Sequence, residues 1–184
     1  GSGVDGGGSG NSGLLPEWAN ALISGALRGE TGMEDGIFSS QYRDHPMYLL
    51  GWVGLSMVPY VDIVADLRDA TQNFATGDYF DVGLDLLGML PFVVSDAPKS
   101  ISAIRKWTGA SGNAKQAFKL LDGAGITKQI PDEYLADYYR AFGFNEAAKL
   151  LEVVDRKTVS ELIKNDDVEQ KDIRRMVELS ESGE

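Results

Sequence analysis

The chain has 184 residues, 43% of them hydrophobic, with 17 Lys and Arg against 28 Asp and Glu and a formal net charge of −11. That apolar fraction supplies a core and argues against disorder along the whole length, while the sign of the charge argues against unspecific binding to nucleic acid or anionic membranes. No cysteine is present, which excludes disulfides, thiolate catalysis and cysteine-based zinc or iron–sulfur centres.

Gly1–Gly13 is glycine- and serine-rich with almost nothing apolar, so it behaves as a flexible coil and reads as a linker or tag, not a signal peptide. From Pro16 to Arg28 the spacing predicts a first helix. Pro16 suits its first position, Glu17 suits the positive end of its dipole, and Trp18, Leu22 and Ala26 share a face. Gly29 is the expected stop. Glu30–Asp44 is loop-like, pinned by Phe38 and Tyr42. Pro46–Met57 is apolar on all sides, which predicts a buried helix with Trp52 and Leu55 in the core. A membrane span needs about 20 apolar residues, and neither this stretch nor Leu84–Val94 is that long. A hairpin of the two dipping into a bilayer is the alternative to ordinary core.

Tyr60–Ala75 is amphipathic: Ile63, Leu67, Ala70 and Phe74 form one stripe, and Asp62, Asp66, Asp69 and Asn73 another. The next helix starts at Asp78, a good N-cap, and sets Phe80, Leu84 and Leu87 against Asp78, Asp81 and Asp85. Like charges at these spacings repel by about 0.2–0.5 kcal/mol per pair, so helix propensity does not account for them. Two solvated faces are the plainer reading, and a cation site or a dock for a basic partner is the sharper one.

Pro98–Trp107 continues as a helix with Ile101 and Ile104 inward, and Gly109–Gly112 is expected to break it before Ala114–Leu121 resumes. Between Ala97 and Leu121 there is no acid, yet Lys99, Arg105, Lys106, Lys115 and Lys119 are present. Trp107 and Phe118 interleave with them as in a nucleic-acid patch, but the field of the whole chain opposes that. Internal pairing with the aspartate stripes accounts for both features. Gly123–Gly125 reads as a hinge. Pro131 opens a helix with Leu135, Tyr138, Tyr139 and Phe142 inward, ended by Gly143. Asn145 caps a helix over Glu146–Arg156, and Thr158 and Glu161 form a capping box for Thr158–Lys164. Asn165–Asp167 turns the chain into a last helix, Val168–Leu179, with Ile173, Met176 and Val177 inward.

No β-alternation of useful length occurs. The expected fold class is all-α: a compact multi-helix bundle on a central helical hairpin, about residues 46–95, with a C-terminal layer of short helices. The organisation read from it is a linker over residues 1–13, a helical domain over 14–122 and an appendage over 123–184 packed on it.

Catalytic chemistry is sparse. His45 is the only histidine and stands just before Pro46, where a cap or loop role suits it. Gly109–Gly112 is followed by Asn113, so it is no phosphate-binding loop. The carboxylate pairs Asp62/Asp66 and Asp81/Asp85 lie on exposed stripes, without the burial that would split their pKa values. No catalytic, cofactor-binding or metal-ligating residue is assigned. The candidate interaction faces are Asp62, Asp66, Asp69, Asp78, Asp81 and Asp85, and Lys99, Arg105, Lys106, Lys115 and Lys119.

Two proline sites are alike, Met57-Val58-Pro59-Tyr60-Val61 and Met89-Leu90-Pro91-Phe92-Val93. With Asp62, Gly77-Asp78-Tyr79, the run Leu86–Val93 and Asp96-Ala97-Pro98-Lys99, they resemble the pre-toxin segment of polymorphic toxins. In that family it is a helical module ahead of a variable C-terminal toxin domain, in secreted or injected conflict proteins. The chain departs from the family pattern twice: no glycine separates Val61 from Asp62, and Val93-Val94-Ser95-Asp96 has no glycine and one extra residue. Both turns must therefore be built differently. The acidic helical remainder is similar in style to appendages of haloarchaeal proteins of this sort. The resemblance implies a non-enzymatic module, without cofactor, that presents or binds another protein or a fused toxin domain. The alternatives are a membrane-inserting helical protein and an acidic binder of immunity or antitoxin type. Nucleic acid is not an expected partner, on charge.

Overall fold

The computed structural model describes residues 15–31, 42–56, 58–73, 90–111 and 113–183. Among them the regular structure is all helical, as expected: nine α-helices and one turn of 3₁₀ helix. Contacts divide the chain into two units, Gly1–Pro91 and Phe92–Glu184. The division thus falls at Pro91, not at Gly123–Gly125. There the chain makes a tight, hydrogen-bonded turn, with the Ala124 and Ile126 amides donating to the Leu120 and Leu121 carbonyls and Gly125 at φ +88°.

In the first unit, α1 (Glu17–Thr31) pairs with α2 (Pro46–Gly54), and α3 (Tyr60–Asn73) also contacts α1. No residue of α2 is charged, and Met47, Leu49, Leu50 and the following Leu55 are fully buried. Opposite them α1 supplies Trp18, Ala19, Ala21, Leu22, Ile23 and Ala26. The two backbones meet at glycine. A Cβ on Gly25 would lie 1.8 Å from the Tyr48 carbonyl oxygen, and one on Gly51 2.0 Å from that of Leu22. Gly29 belongs to the same contact: α1 runs through it, and its missing side chain leaves room for the Trp52 carbonyl and Ser56. The expected stop at Gly29 was a close approach instead. Trp52 is only half-buried, not core; the Arg28 guanidinium lies 3.8 Å over its ring.

Helix α3 starts directly after Pro59, whose carbonyl accepts from the Asp62 and Ile63 amides, so no glycine turn is needed there. Ile63 and Leu67 are buried on one side and Asp62, Asp66 and Asp69 are exposed on the other. The side chain of Ala70, all of Phe74, and the helix expected from Asp78 with Asp81 and Asp85 lie outside the described residues. So does most of the second arm of the expected hairpin. Its end is not helical: Pro91–Val94 has no regular secondary structure.

The second unit holds α4 (Ala97–Ser111), α5 (Ala114–Gly123), the 3₁₀ turn Thr127–Gln129, α6 (Asp132–Ala141), α7 (Asn145–Leu150), α8 (Arg156–Lys164) and α9 (Gln170–Glu181). At its centre Phe118 of α5 meets Tyr138, Tyr139, Phe142 and Phe144, with ring centroids 5.4–6.2 Å away. Tilted and edge-on aromatic pairs of this kind add about 0.5–1.5 kcal/mol each to their burial. Four expectations needed correction here. Asn145 is the first residue of α7 and not its cap, a place taken by Phe144. Helix α4 continues through Gly109, where a Cβ would meet nothing within 4 Å. Helix α7 stops at Leu150 instead of reaching Arg156, because Asp155 turns extended and caps α8 through the Thr158 amide. The capping box joins Glu169 and Asp172 at the start of α9, not Thr158 and Glu161.

The glycines give opposite expectations for one substitution. Gly25→Ala forces the α1 and α2 backbones apart and should destabilise the chain by about 1–3 kcal/mol, against the gain in helix propensity. Gly109→Ala meets no neighbour and should stabilise by about 0.5–1 kcal/mol. Denaturant titrations followed by tryptophan fluorescence decide both signs; a stabilised Gly25→Ala would mean that the crossing is not this close.

Candidate functional site

The acidic candidate face is the outer side of α3. A four-residue spacing carries Asp62 to Asp66, and Asp69 follows three further on, so the three share a face one turn apart. All three are exposed and make no ion pair among the described residues. Val61 stands beside them, 70% exposed, and Ala65 is exposed one turn on. The face is therefore mixed: the carboxylates border Val61 and Ala65 on one side, and Arg68, also exposed, continues the line of those two residues.

The basic candidates divide into two groups. Lys99, Arg105 and Lys106 are exposed on α4 and make no ion pair among the described residues. Lys115 and Lys119, one turn apart on α5, converge on Asp166, an acid outside either stripe. Lys119 Nζ lies 2.7 Å from Asp166 Oδ1, and Lys115 Nζ is 3.6 Å from it and donates to the Asn165 carbonyl at 2.9 Å. The Lys119 hydrogen bond and charge hold the Asp166 carboxyl below its usual range. Trp107 and Phe118, the aromatics interleaved with these cations, are buried and present no stacking platform.

The second unit's interior carries polar groups that sequence alone did not single out. Thr127 and Tyr138 hydroxyls pair at 2.8 Å, and those of Tyr139 and Ser160 at 2.6 Å. Burial raises both phenols above their ordinary range, and the Thr127 and Ser160 hydrogen bonds oppose that in turn. Arg156 Nη2 donates to the Thr127 and Ile130 carbonyls at 2.7 and 2.8 Å, while Nη1 reaches Asp132 at 2.8 Å. One guanidinium thereby ties the 3₁₀ turn to the start of α6 and of α8. Gln129 holds the segment before α4: its Oε1 accepts from the Val94 amide and its Nε2 donates to the Phe92 and Gly125 carbonyls, each at 3.0 Å. That clamp builds the second turn that lacks its glycine. Lys164 bonds Asp122 and also approaches Glu161. Burial acts to lower the ammonium, but the Asp122 hydrogen bond and charge, with Glu161 behind them, raise it overall.

The first unit's polar element is His45, whose Nδ1 accepts from the Met47 amide at 3.1 Å and so caps α2. Partial burial lowers the imidazole from its usual range, with the Glu17 carboxylate opposing. Among the described residues there is no group of three or more His, Asp or Glu placed to hold a metal ion, and no helix long and apolar enough to cross a membrane. Comparison with protein-family models, with curated proteins and with solved structures gives no match for this chain.

Arg156 is the internal joint most open to test. Arg156→Met keeps the apolar stem but takes its donor from the Ile130 carbonyl and leaves the Thr127 carbonyl only the Ile130 amide, which should cost about 1–3 kcal/mol. Asp132→Asn, at the exposed end of the same guanidinium, should stay within about 0.5 kcal/mol of the parent. Equal losses in a denaturant titration would place the energy in the ion pair instead of the carbonyls.

Proposed function

We propose that this chain is a non-enzymatic helical module of a toxin-like conflict protein, one that presents or binds another protein or domain. The observation that carries the reading is how its reactive side chains are used. The one histidine caps a helix, and the buried hydroxyls of Thr127, Tyr138, Tyr139 and Ser160 bond one another. Catalysis needs such groups poised toward a substrate, with a base within hydrogen-bond reach of a nucleophile. Here their partners are other parts of the scaffold.

The resemblance of Val58–Lys99 to pre-toxin segments supports the presenting role, and the mixed acidic and apolar face of α3 supports a binding one. A partner for that face would be basic with an apolar strip of its own, since complementary charge speeds and orients docking. The bilayer alternative is less well supported: α2, the most apolar helix described, is buried against α1.

Growth of a host expressing the 184 residues in its cytoplasm tests the reading. Unchanged growth is expected, with any toxicity residing in a partner or fused domain. Arrest with leakage of small ions would replace it by membrane insertion. Arrest with degraded nucleic acid or blocked translation would mean that the chain itself carries an active site, for which the α3 aspartates would be first in line.

A further inference from the structure

His45 is the only side chain in the protein whose ordinary pKa falls between about 5 and 8. It stands at the start of the most apolar helix. Helix α2 has nine residues, none charged, and Pro46 at its first position has no N–H to give. The Met47 amide is therefore the first donor that needs an acceptor, and Met47 itself is fully buried. His45 Nδ1 fills that need only while it keeps its lone pair.

We propose that His45 is an acid sensor of the first unit, whose protonation removes the cap of α2 and loosens the α1–α2 pair. Protonation has two effects of one sign. It turns the acceptor into a donor aimed at another donor, and it puts a positive charge at the positive end of the helix dipole. The Met47 amide is left buried without a partner. Nothing in α2 can offset the change, because the helix has no carboxylate in its first turn. Among the described residues Glu17, at the start of α1, is the charged group that acts on the imidazole; Arg43 and Asp44 precede His45 in the turn that leads into α2. Glu17 favours the imidazolium, but burial prevails over it. A nine-residue helix does not persist in water by itself, so losing its anchored end also weakens the glycine crossing with α1.

The direction with pH follows from linkage. The folded chain holds His45 neutral below the value of the unfolded chain, so the unfolded chain takes up the proton first as pH falls. The His45 contribution is whole above about pH 6.5 and is lost as pH drops from there toward the folded value. Ordinary carboxylates titrate below this window, at about pH 4.

The experiment compares the full chain with His45→Asn, whose side-chain oxygen caps a helix without titrating, in denaturant titrations from pH 7.5 to 5.5 and in amide exchange at Met47–Gly51. The parent should lose up to about tenfold in its folded-to-unfolded ratio per pH unit below about pH 6.5, with faster α2 exchange after correction for intrinsic rates. His45→Asn should be flat over the same window. A parent that is flat, or a His45→Asn that follows the parent, would overturn the proposal. Should His45→Asn not fold, the imidazole titration of the parent, read by NMR, decides: a midpoint at or above the ordinary histidine value overturns it and one below supports it.

Discussion

Most of these helices are too short to hold their shape in water alone, and the longest only reach the limit. They run from six residues in α7 to 15 in α1 and α4, and isolated helices below about 12–15 residues are marginal. The fold consequently depends on its joints. Each helix end leaves amides or carbonyls that need partners, and at three N-termini the partners are specific side chains: His45 for α2, Asp155 for α8, and Glu169 with Asp172 for α9. Gly125 and Gly143, both at positive φ, close the ends of α5 and α6 in a conformation that other residues adopt only under strain. Where no cap is at hand, a longer side chain bridges the gap, as Arg156 and Gln129 do around the 3₁₀ turn.

The two units meet the same requirement by different packing. In the first, α2 is apolar on every side, so no stripe of large residues orients it. Glycines at the crossing with α1 let the backbones touch, and close approach multiplies dispersion contacts that are individually tiny. In the second, the helices are strongly amphipathic and the space between them is filled by the rings around Phe118. Tyrosine at such a place brings a hydroxyl inside, and a buried hydroxyl without a partner is costly. Thr127 and Ser160 answer that need for Tyr138 and Tyr139.

Much of this was legible in the residues wherever a period carried it. The stripes of Ile63 and Leu67, of Leu120 and Leu121, and of Tyr138, Tyr139 and Phe142 all face inward as their spacing requires. What failed were judgements about single residues. Gly29 and Gly109 look identical in sequence, yet one accommodates a neighbouring helix and the other faces open space. Both helices pass through, because one glycine costs only about 1 kcal/mol, less than the packing on either side returns. Val153 and Val154 extend the apolar rhythm of α7, but Asp155 next to them is the stronger signal as the cap of α8. The joints of the candidate site were legible least. The partner of Lys119 lies 47 residues away and the carbonyls that Gln129 holds lie up to 37 away, distances at which no local pattern points to the contact.

Charge distribution separates the faces further. With a net charge of −11 every cation has acids to choose from, and Lys115, Lys119, Arg140, Lys149, Arg156 and Lys164 each take one within their own unit. The three α3 aspartates take none of these. Helix propensity does not choose them, since repulsion along the face works against the helix. Capping cannot explain Asp66 and Asp69, which lie past the first turn. The core does not need them either, because Ile63 and Leu67 bury the other side. Their role is therefore external to the helix that carries them, toward solvent or toward a basic partner. Solvent alone would be served by any polar residue; a basic partner would be served by carboxylates in a row beside an apolar strip, and Val61 and Ala65 supply that strip.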